Sequence, residues 1–336
     1  MPKLPFIIIC AALLFACQTT REYQNNYIKH HRKGFFEFMA MRYFGDVKWA
    51  DHEAQASQVP QVSADIRAIQ AQNPNSLAVT WLGHSTFLIQ YLGINVLTDP
   101  VFSDYASPMS FIGPKRYTPV ALDIDDLPPI DFVVISHNHY DHLDTNSIQR
   151  LPDHTVYLVP ENLGPWFEDN DITGDRVYEL PWWQDKQFEA VNFTATPSQH
   201  WSARGLFDRF ESHWASWRID IGDKSIWFAG DTGYNDNDFK AIGEKLGEVD
   251  LALIPIGAYA PRDFMRLYHV NVDEAVKIHH DIQSRFSVGM HWGTFPLTAE
   301  PVMEPVQKLE QYQLDNFITL SLGETLSVNV QPYSPN

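Results

Sequence analysis

The sequence predicts an α/β fold: two mixed sheets packed against each other, with helices outside. Three observations carry the prediction. From Leu77 onward, short apolar or alternating runs follow one another, separated by Gly-His-Ser and Leu-Gly turns, which is the pattern of consecutive strands. Helix signatures lie between some of them. No glycine-rich phosphate loop is present.

The chain begins with "MPKLPFIIICAALLFACQTT". One lysine is followed by an apolar run, Leu4 to Ala16, that is short for a bilayer span and has the size of a signal-peptide core. It ends in "LFAC", which resembles a bacterial lipoprotein signal cleaved before Cys17 and acylated on its thiol, although Phe15 is unusual in that pattern. A plain signal peptide or an uncleaved anchor is the alternative. Gln18 follows, not aspartate, so nothing marks retention on an inner membrane. The expectation is a bacterial envelope lipoprotein, on the outer membrane of a Gram-negative cell and facing the periplasm.

Residues 27–49 mix a basic cluster with Phe35, Phe36, Phe38, Met39, Met41, Tyr43 and Phe44. Rings beside cations suit a lipid interface; the same rings would also serve to dock the arm on the core. Residues 50–76 are polar and rich in Ala and Gln, and read as a linker. The expected organisation is a signal peptide (1–16), a lipid-anchored arm and linker (17–76), and one folded domain (77–336).

Within that domain the predicted strands are "LAVTWL", "TFLIQY", "INVLT", "DFVVIS", "TVYLV", "VNFTAT", "SWRIDI", "SIWFA", "DLALIP", "RFSVGM", "FITLSL" and "LSVNV". "NVDEAVKIHHDIQSR" predicts a helix, with Asn271 as N-cap and Glu274 completing a capping box. "EPVMEPVQKLEQYQ" predicts another, its early prolines tolerated near the start. No internal repeat of 20–50 residues is visible. The pairs His30–His31 and His279–His280 are expected to be exposed.

Composition narrows the function. The formal net charge is −18, against nucleic-acid binding. Segment 21–48 carries a net +3 and residues 49–336 a net −22, so a short basic arm precedes an acidic body. Both cysteines lie in the first seventeen residues. A disulfide framework and a thiolate zinc site are therefore excluded from the body, and any metal must be held by nitrogen and oxygen.

Residues 136–144, "SHNHYDHLD", follow the apolar run "DFVVI" and place His137, His139, Asp141 and His142 within six residues. Where a chain leaves a strand in a bend, histidines at i and i+2 can face one point while Asp141 and His142 reach a second nearby, an arrangement suited to two metal ions. Further ligand types follow other apolar runs: His200 in "TPSQHWS", Asp231 in "AGDTGY" between two glycines, and His291 in "GMHWGTF". Loops at strand ends gather such residues at one edge of a sandwich.

This series, H-x-H-x-D-H, then His, then Asp in G-D-T-G, then His, resembles the metallo-β-lactamase superfamily. With "GPKRY", "LIPIGAYAPRDFM", "HVNVDEAVKIH" and "HWGTF" it is similar to the branch of N-acyl-phosphatidylethanolamine-hydrolysing phospholipases D and their bacterial relatives, over about residues 77–325. The resemblance implies an αββα sandwich with two zinc ions at one edge. His137, His139 and His200 would hold one, Asp141, His142 and His291 the other, with Asp231 bridging. Nitrogen and oxygen donors suit zinc; iron and manganese stay open. His84 and Asp144 are expected to support the ligands from behind.

The reaction implied is phospholipase D-type: hydroxide activated by the metal pair attacks phosphorus and N-acylethanolamine leaves, giving phosphatidic acid. Asp141, Asp231 and His269 are the expected catalytic residues. Tyr140, Tyr268, His269 and Arg204 are expected at the substrate. Two positions depart from the branch: Tyr268 stands where glutamine is usual, and Ala203 where lysine is usual, with Arg204 next to it to restore the charge. The expected partners are a membrane phospholipid and the membrane surface, reached through the lipid anchor and the basic-aromatic arm; nucleic acid is not expected and an oligomer is open. A hydrolase of a soluble lactone or phosphodiester, or a non-catalytic lipid-binding lipoprotein, are the competing readings.

Overall fold

The computed structural model describes residues 22–29, 35–172, 174–205 and 207–328; Cys17, the expected signal segment and His30–His31 lie outside them. Six strands come first: β1 (Ala78–Gly83), β2 (Thr86–Tyr91), β3 (Ile94–Thr98), β4 (Phe132–Val134), β5 (Val156–Pro160) and β6 (Val177–Leu180). Seven follow: β7 (Asp185–Gln187), β8 (Val191–Thr196), β9 (Ser216–Ile221), β10 (Lys224–Phe228), β11 (Leu251–Pro255), β12 (Ser287–Met290) and β13 (Phe317–Ile318). β14 (Thr325–Ser327) closes the described chain. They form two seven-stranded sheets, ordered β14-β1-β2-β3-β4-β5-β6 and β13-β12-β11-β10-β9-β8-β7.

Alternation along the first sheet explains the layering. Trp81, Phe87, Ile89 and Val134 point into the core shared with Phe193, Trp217, Trp227 and Leu253 of the second sheet. Their neighbours Leu82, Leu88, Leu97 and Val133 point the other way, where Ile148 and Phe167 cover them from helices Thr145–Arg150 and Gly164–Glu168. The outer face of the second sheet is covered by helices Asp236–Leu246, Val272–Asp281 and Glu304–Glu310, through Phe239, Ile242, Ala275, Ile278, Val306 and Leu309. Two mixed sheets between helices are therefore the architecture.

Each of the twelve expected runs overlaps a strand, "LSVNV" only at Leu326 and Ser327, and its last two residues lie outside the described ones. β6 and β7 were not expected; "VYEL" and "DKQ" are sheet edges with exposed or half-buried positions, so they carry little of the alternation that marks a strand. The Asn271–Glu274 capping box forms, but its helix stops at Asp281 and not at Arg285. Helix Asp236–Leu246 is an addition to the expected elements, and Asn235 caps it by accepting from Asp238 N.

Residues 50–76, read as a linker, are folded onto the body. Short helices occupy His52–Gln55 and Ile66–Gln70, Val59 and Ile69 enter the two cores, and Gln61 bridges Leu322. A few apolar residues inside a polar stretch suffice to pin it. His279 is also buried, bonded through Nδ1 to Ser287 Oγ at 2.7 Å, while His280 is exposed.

Candidate metal centre

The chain leaves β4 through Ser136 and turns at once, with His142 N and Leu143 N both donating to His139 O. That turn splits the motif into two groups. His137 Nε2 lies 2.8 Å from His139 Nδ1, which lies 3.4 Å from His200 Nε2 beyond β8. Asp141 Oδ2 lies 3.4 Å from His142 Nε2 and 3.5 Å from His291 Nε2, at the end of β12. Asp231, beyond β10, stands between the groups: its Oδ2 is 3.3 Å from His142 Nε2 and 3.8 Å from His200 Nε2, and its Oδ1 is 3.1 Å from His291 Nε2. All seven residues expected from the sequence thus converge at one edge of the sandwich.

Backbone geometry makes the convergence possible. Gly230 has φ of +58°, and a Cβ there would sit 2.4 Å from Ser136 Cβ, so only glycine lets the Asp231 turn press against the Ser136 turn. His84 and His291 occupy the same left-handed region, at φ 54° and 60°. Strain at non-glycine residues is held by its surroundings, here including the bond from His291 N to His84 O.

In His137, His142 and His200 the ring nitrogen facing away from the cluster is bonded, which sets the tautomer. His142 Nδ1 donates to Asp99 Oδ2 at 2.6 Å. Asp99 also accepts from Ser136 N and Ser136 Oγ, and His137 Nδ1 donates in turn to Ser136 Oγ. His200 Nδ1 donates to Tyr268 O at 2.9 Å. Each bond leaves Nε2 with its lone pair inward. Fully buried Asp99 is the carboxylate behind the ligands. Asp144 is not: its carboxylate caps helix Thr145–Arg150 and binds Ser147 and Ser103. His84 does stand behind, donating from Nε2 to Asp141 Oδ2 at 3.0 Å.

A divalent cation fits this set. His142 Nε2, His291 Nε2 and Asp231 Oδ1 face the cluster and are buried without a hydrogen-bond partner, a cost that proteins rarely leave uncompensated. Lone pairs of three imidazoles also meet at less than 3.5 Å. Without a metal, burial pushes His139 and His200 down to about 3 and His137 well below its ordinary value, which favours the neutral, ligating form. For Asp141 and Asp231 burial opposes ionisation, but the surrounding imidazoles prevail and hold both carboxyls well below the usual range. His142 and His291 respond oppositely: burial lowers them, but nearby carboxylates dominate and raise His142 strongly and His291 to about 9. The pull of the carboxylates on these two rings marks where cationic charge is wanted.

The site opens on the side of His139, Asp141 and His269, which stay partly exposed, while His137, His142 and His200 are fully buried. His269 stands at that opening, Nδ1 3.8 Å from Asp231 Oδ2. Arg262 holds it there by donating to His269 O at 2.6 Å and to the Glu274 carboxylate. Arg204 is not free for substrate: its half-buried guanidinium donates to Asn138 O (2.9 Å) and Leu143 O (2.6 Å) and stacks on Tyr140. Tyr140 OH donates back to Arg204 O. The pair clasps the ligand turn. Tyr268 is buried, its ring near His200 and Trp201.

Sequence reasoning missed Asp99, although it follows the run "INVLT" as the ligands follow theirs. It also missed Asn25. That side chain accepts from His200 N at 3.0 Å and donates to His200 O at 2.8 Å, so the N-terminal segment pins a ligand. Nothing in a lone asparagine 175 positions away signals this.

Comparison with known proteins agrees with this geometry. The family model described as "Beta-lactamase superfamily domain" matches residues 94–292. The chain belongs to the beta-lactamase superfamily. Among curated relatives, the N-acyl-phosphatidylethanolamine-hydrolyzing phospholipase D 1 of Caenorhabditis elegans is 41% identical over 278 residues, 77% of this chain and 78% of that protein. The mitochondrial N-acyl-phosphatidylethanolamine-hydrolyzing phospholipase D of Saccharomyces cerevisiae is 39% identical over 239 residues, 69% of this chain and 50% of that one. Of solved structures, the isothiocyanate hydrolase from Delia radicum gut bacteria has a TM-score of 0.62 at 17% identity, over 76% of this chain and 100% of its own. A metallo hydrolase from Ignicoccus hospitalis has 0.56 at 22%, with the same coverage. These two show the fold alone. The superfamily chain described here is an enzyme, a metal-dependent hydrolase with a His/Asp candidate site.

Proposed function

We propose that this enzyme hydrolyses N-acyl-phosphatidylethanolamine to N-acylethanolamine and phosphatidic acid, using two zinc ions. The observation that carries the reading is the seven-residue cluster, inward lone pairs included, in a chain 41% identical to a relative named for that reaction. His137, His139 and His200 would hold one ion, and Asp141, His142 and His291 the other, with Asp231 shared. Bound there, the ions supply an activated water at neutral pH and offset charge on a phosphoryl oxygen.

The remaining work falls to the chain. Asp99 and Ser136 hold the ligand tautomers, and the Arg204–Tyr140 clasp keeps the ligand turn in place. His269, fixed by Arg262 at the opening, is placed to bond a phosphate oxygen of the substrate. In the overall reaction a new P–O bond to the water oxygen replaces the P–O bond to ethanolamine, whose oxygen leaves with a proton. The membrane is the natural partner for such a substrate, and acylation of Cys17 would keep the enzyme on the envelope membrane, facing the periplasm. Among the described residues no helix is long and apolar enough to cross a membrane.

The test is to incubate purified, zinc-loaded protein with a mixed envelope lipid extract and identify by mass spectrometry what disappears. Loss of N-acyl-phosphatidylethanolamine with matching N-acylethanolamine is expected. An untouched N-acyl-phosphatidylethanolamine pool, beside turnover of a soluble lactone or phosphodiester, would overturn the reading.

A further inference from the structure

Eleven large apolar side chains are exposed among the described residues, and six sit on three segments bordering the metal centre. Single exposed apolar groups are ordinary, but clustering around a site is not. The first segment is the loop 105–115, closed by the Tyr105–Lys115 bridge. At its root Ala106 packs with Phe295 and Tyr140, and Phe295 lies edge-on to His84 at 5.3 Å. At its tip Met109, Phe111 and Ile112 face solvent, Phe111 at 73% exposure. The second segment follows Trp201, whose ring meets His139 at 4.3 Å, and is rooted by Arg204 on the ligand turn. Its tip is Phe207, 92% exposed. The third is helix Phe35–Phe44, where Arg42 reaches Pro296 O and Phe38 packs against Phe264, on the segment leading to His269. It ends at Phe44, 88% exposed.

Resting on the lipid-substrate reading above, we infer that these tips are a membrane-docking rim. Phe44, Met109, Phe111, Ile112 and Phe207 enter the acyl boundary of a bilayer and seat the opening of the metal centre on it. A phospholipid then reaches the site with its chains still among lipids. Separate tips suit a fluid surface, which moulds to each one, better than a flat protein partner, which needs a continuous face. Charge does not drive the contact: the protein carries a net −18, so anionic lipid is repelled overall and apolar insertion must carry the binding. The tether agrees. Asn25 is fixed to His200, and Cys17 is eight residues earlier. At no more than about 3.6 Å per residue, an acylated Cys17 stays within about 29 Å of Asn25, which is itself bonded to that ligand.

The test uses the mature chain from residue 17 with Cys17→Ser, so that no acyl group masks the rim. Vesicles of phosphatidylethanolamine and phosphatidylglycerol are sedimented with the parent and with the triple variant Phe111→Ser, Ile112→Ser, Phe207→Ser. The variant should partition at least about tenfold more weakly, since three apolar side chains leave the lipid. Raising salt should not release the parent. Turnover of soluble bis(p-nitrophenyl) phosphate should be unchanged in the variant, which shows an intact fold and site. The control Leu92→Ser, Tyr312→Ser, exposed side chains on other segments, should partition like the parent. Equal partition of triple variant and parent would overturn the rim. So would a dimer, seen by analytical ultracentrifugation, that the triple variant abolishes while vesicle partition stays. Binding is read without hydrolysis: a rim that binds vesicles while N-acyl-phosphatidylethanolamine stays intact would sink the proposed reaction and leave the rim standing.

Discussion

At the scale of single residues, the centre depends as much on groups behind the ligands as on the ligands. Asp99 holds His142 directly and His137 through Ser136. Asp99→Asn should therefore lower metal affinity by about 10- to 100-fold, measured by competition with a chromophoric chelator. Asp144→Ala is the contrast: it removes a helix cap, should cost about 1 kcal/mol in denaturant unfolding, and should leave metal affinity unchanged. Equal effects of the two would mean that Asp99 does not orient ligands. His139→Ala and Asp231→Asn should each abolish turnover while circular dichroism stays native, because the cores contain neither residue. The seven ligand types were legible because four stand together in H-x-H-x-D-H and the others are a histidine or aspartate in matching turns after later apolar runs, whereas Asp99 is a single aspartate after "INVLT" with no histidine beside it. Only the fold shows that it meets a ring nitrogen.

At the scale of elements, the N-terminal arm serves two ends. Residues 22–29 are bonded to the centre through Asn25, while helix Phe35–Phe44 lies beside its opening. The two contributions separate by experiment. Asn25→Ala strips two bonds from the buried backbone of His200 and should destabilise by about 1–3 kcal/mol in thermal or urea unfolding. It should also slow turnover of lipid and soluble substrates alike, because it disturbs a ligand. Phe44→Ser should slow only the vesicle substrate, since that ring is exposed. A selective loss on vesicles from Asn25→Ala, with soluble turnover intact, would refute the pinning role. Arm composition exposed its mixed basic and aromatic character, but not which ring docks: Phe38 packs between Trp49 and Phe264, and Phe44 does not.

At the scale of the whole molecule, the two sheets share one plan. Along the orders β14 to β6 and β7 to β13, three antiparallel pairings are followed by three parallel ones. β1 and β8 hold equivalent places and lead to His84 and His200; β3 and β10 do likewise and lead to Asp99 and Asp231. A centre assembled from the ends of both sheets should couple metal to folding. Purified protein should carry about two metal ions per chain, mostly zinc, by elemental mass spectrometry. Chelation should lower Tm, and zinc should restore it; an unchanged Tm after complete removal would mean that the cluster is stable without metal.

By itself the sequence determined the strand runs, the capped helix at Asn271, the absence of thiolate ligands and the seven donors, because each is written in local periodicity or residue type. The tertiary structure decided which donors meet, that Arg204 spends its charge on backbone carbonyls, that residues 50–76 are packed, and that Asn25 holds His200. It also revealed the repeated plan, which no 20–50-residue period shows because it lives in strand pairing and not in residue identity. These are contacts between positions far apart in the chain, set by how two sheets close on one another, and no local pattern encodes them.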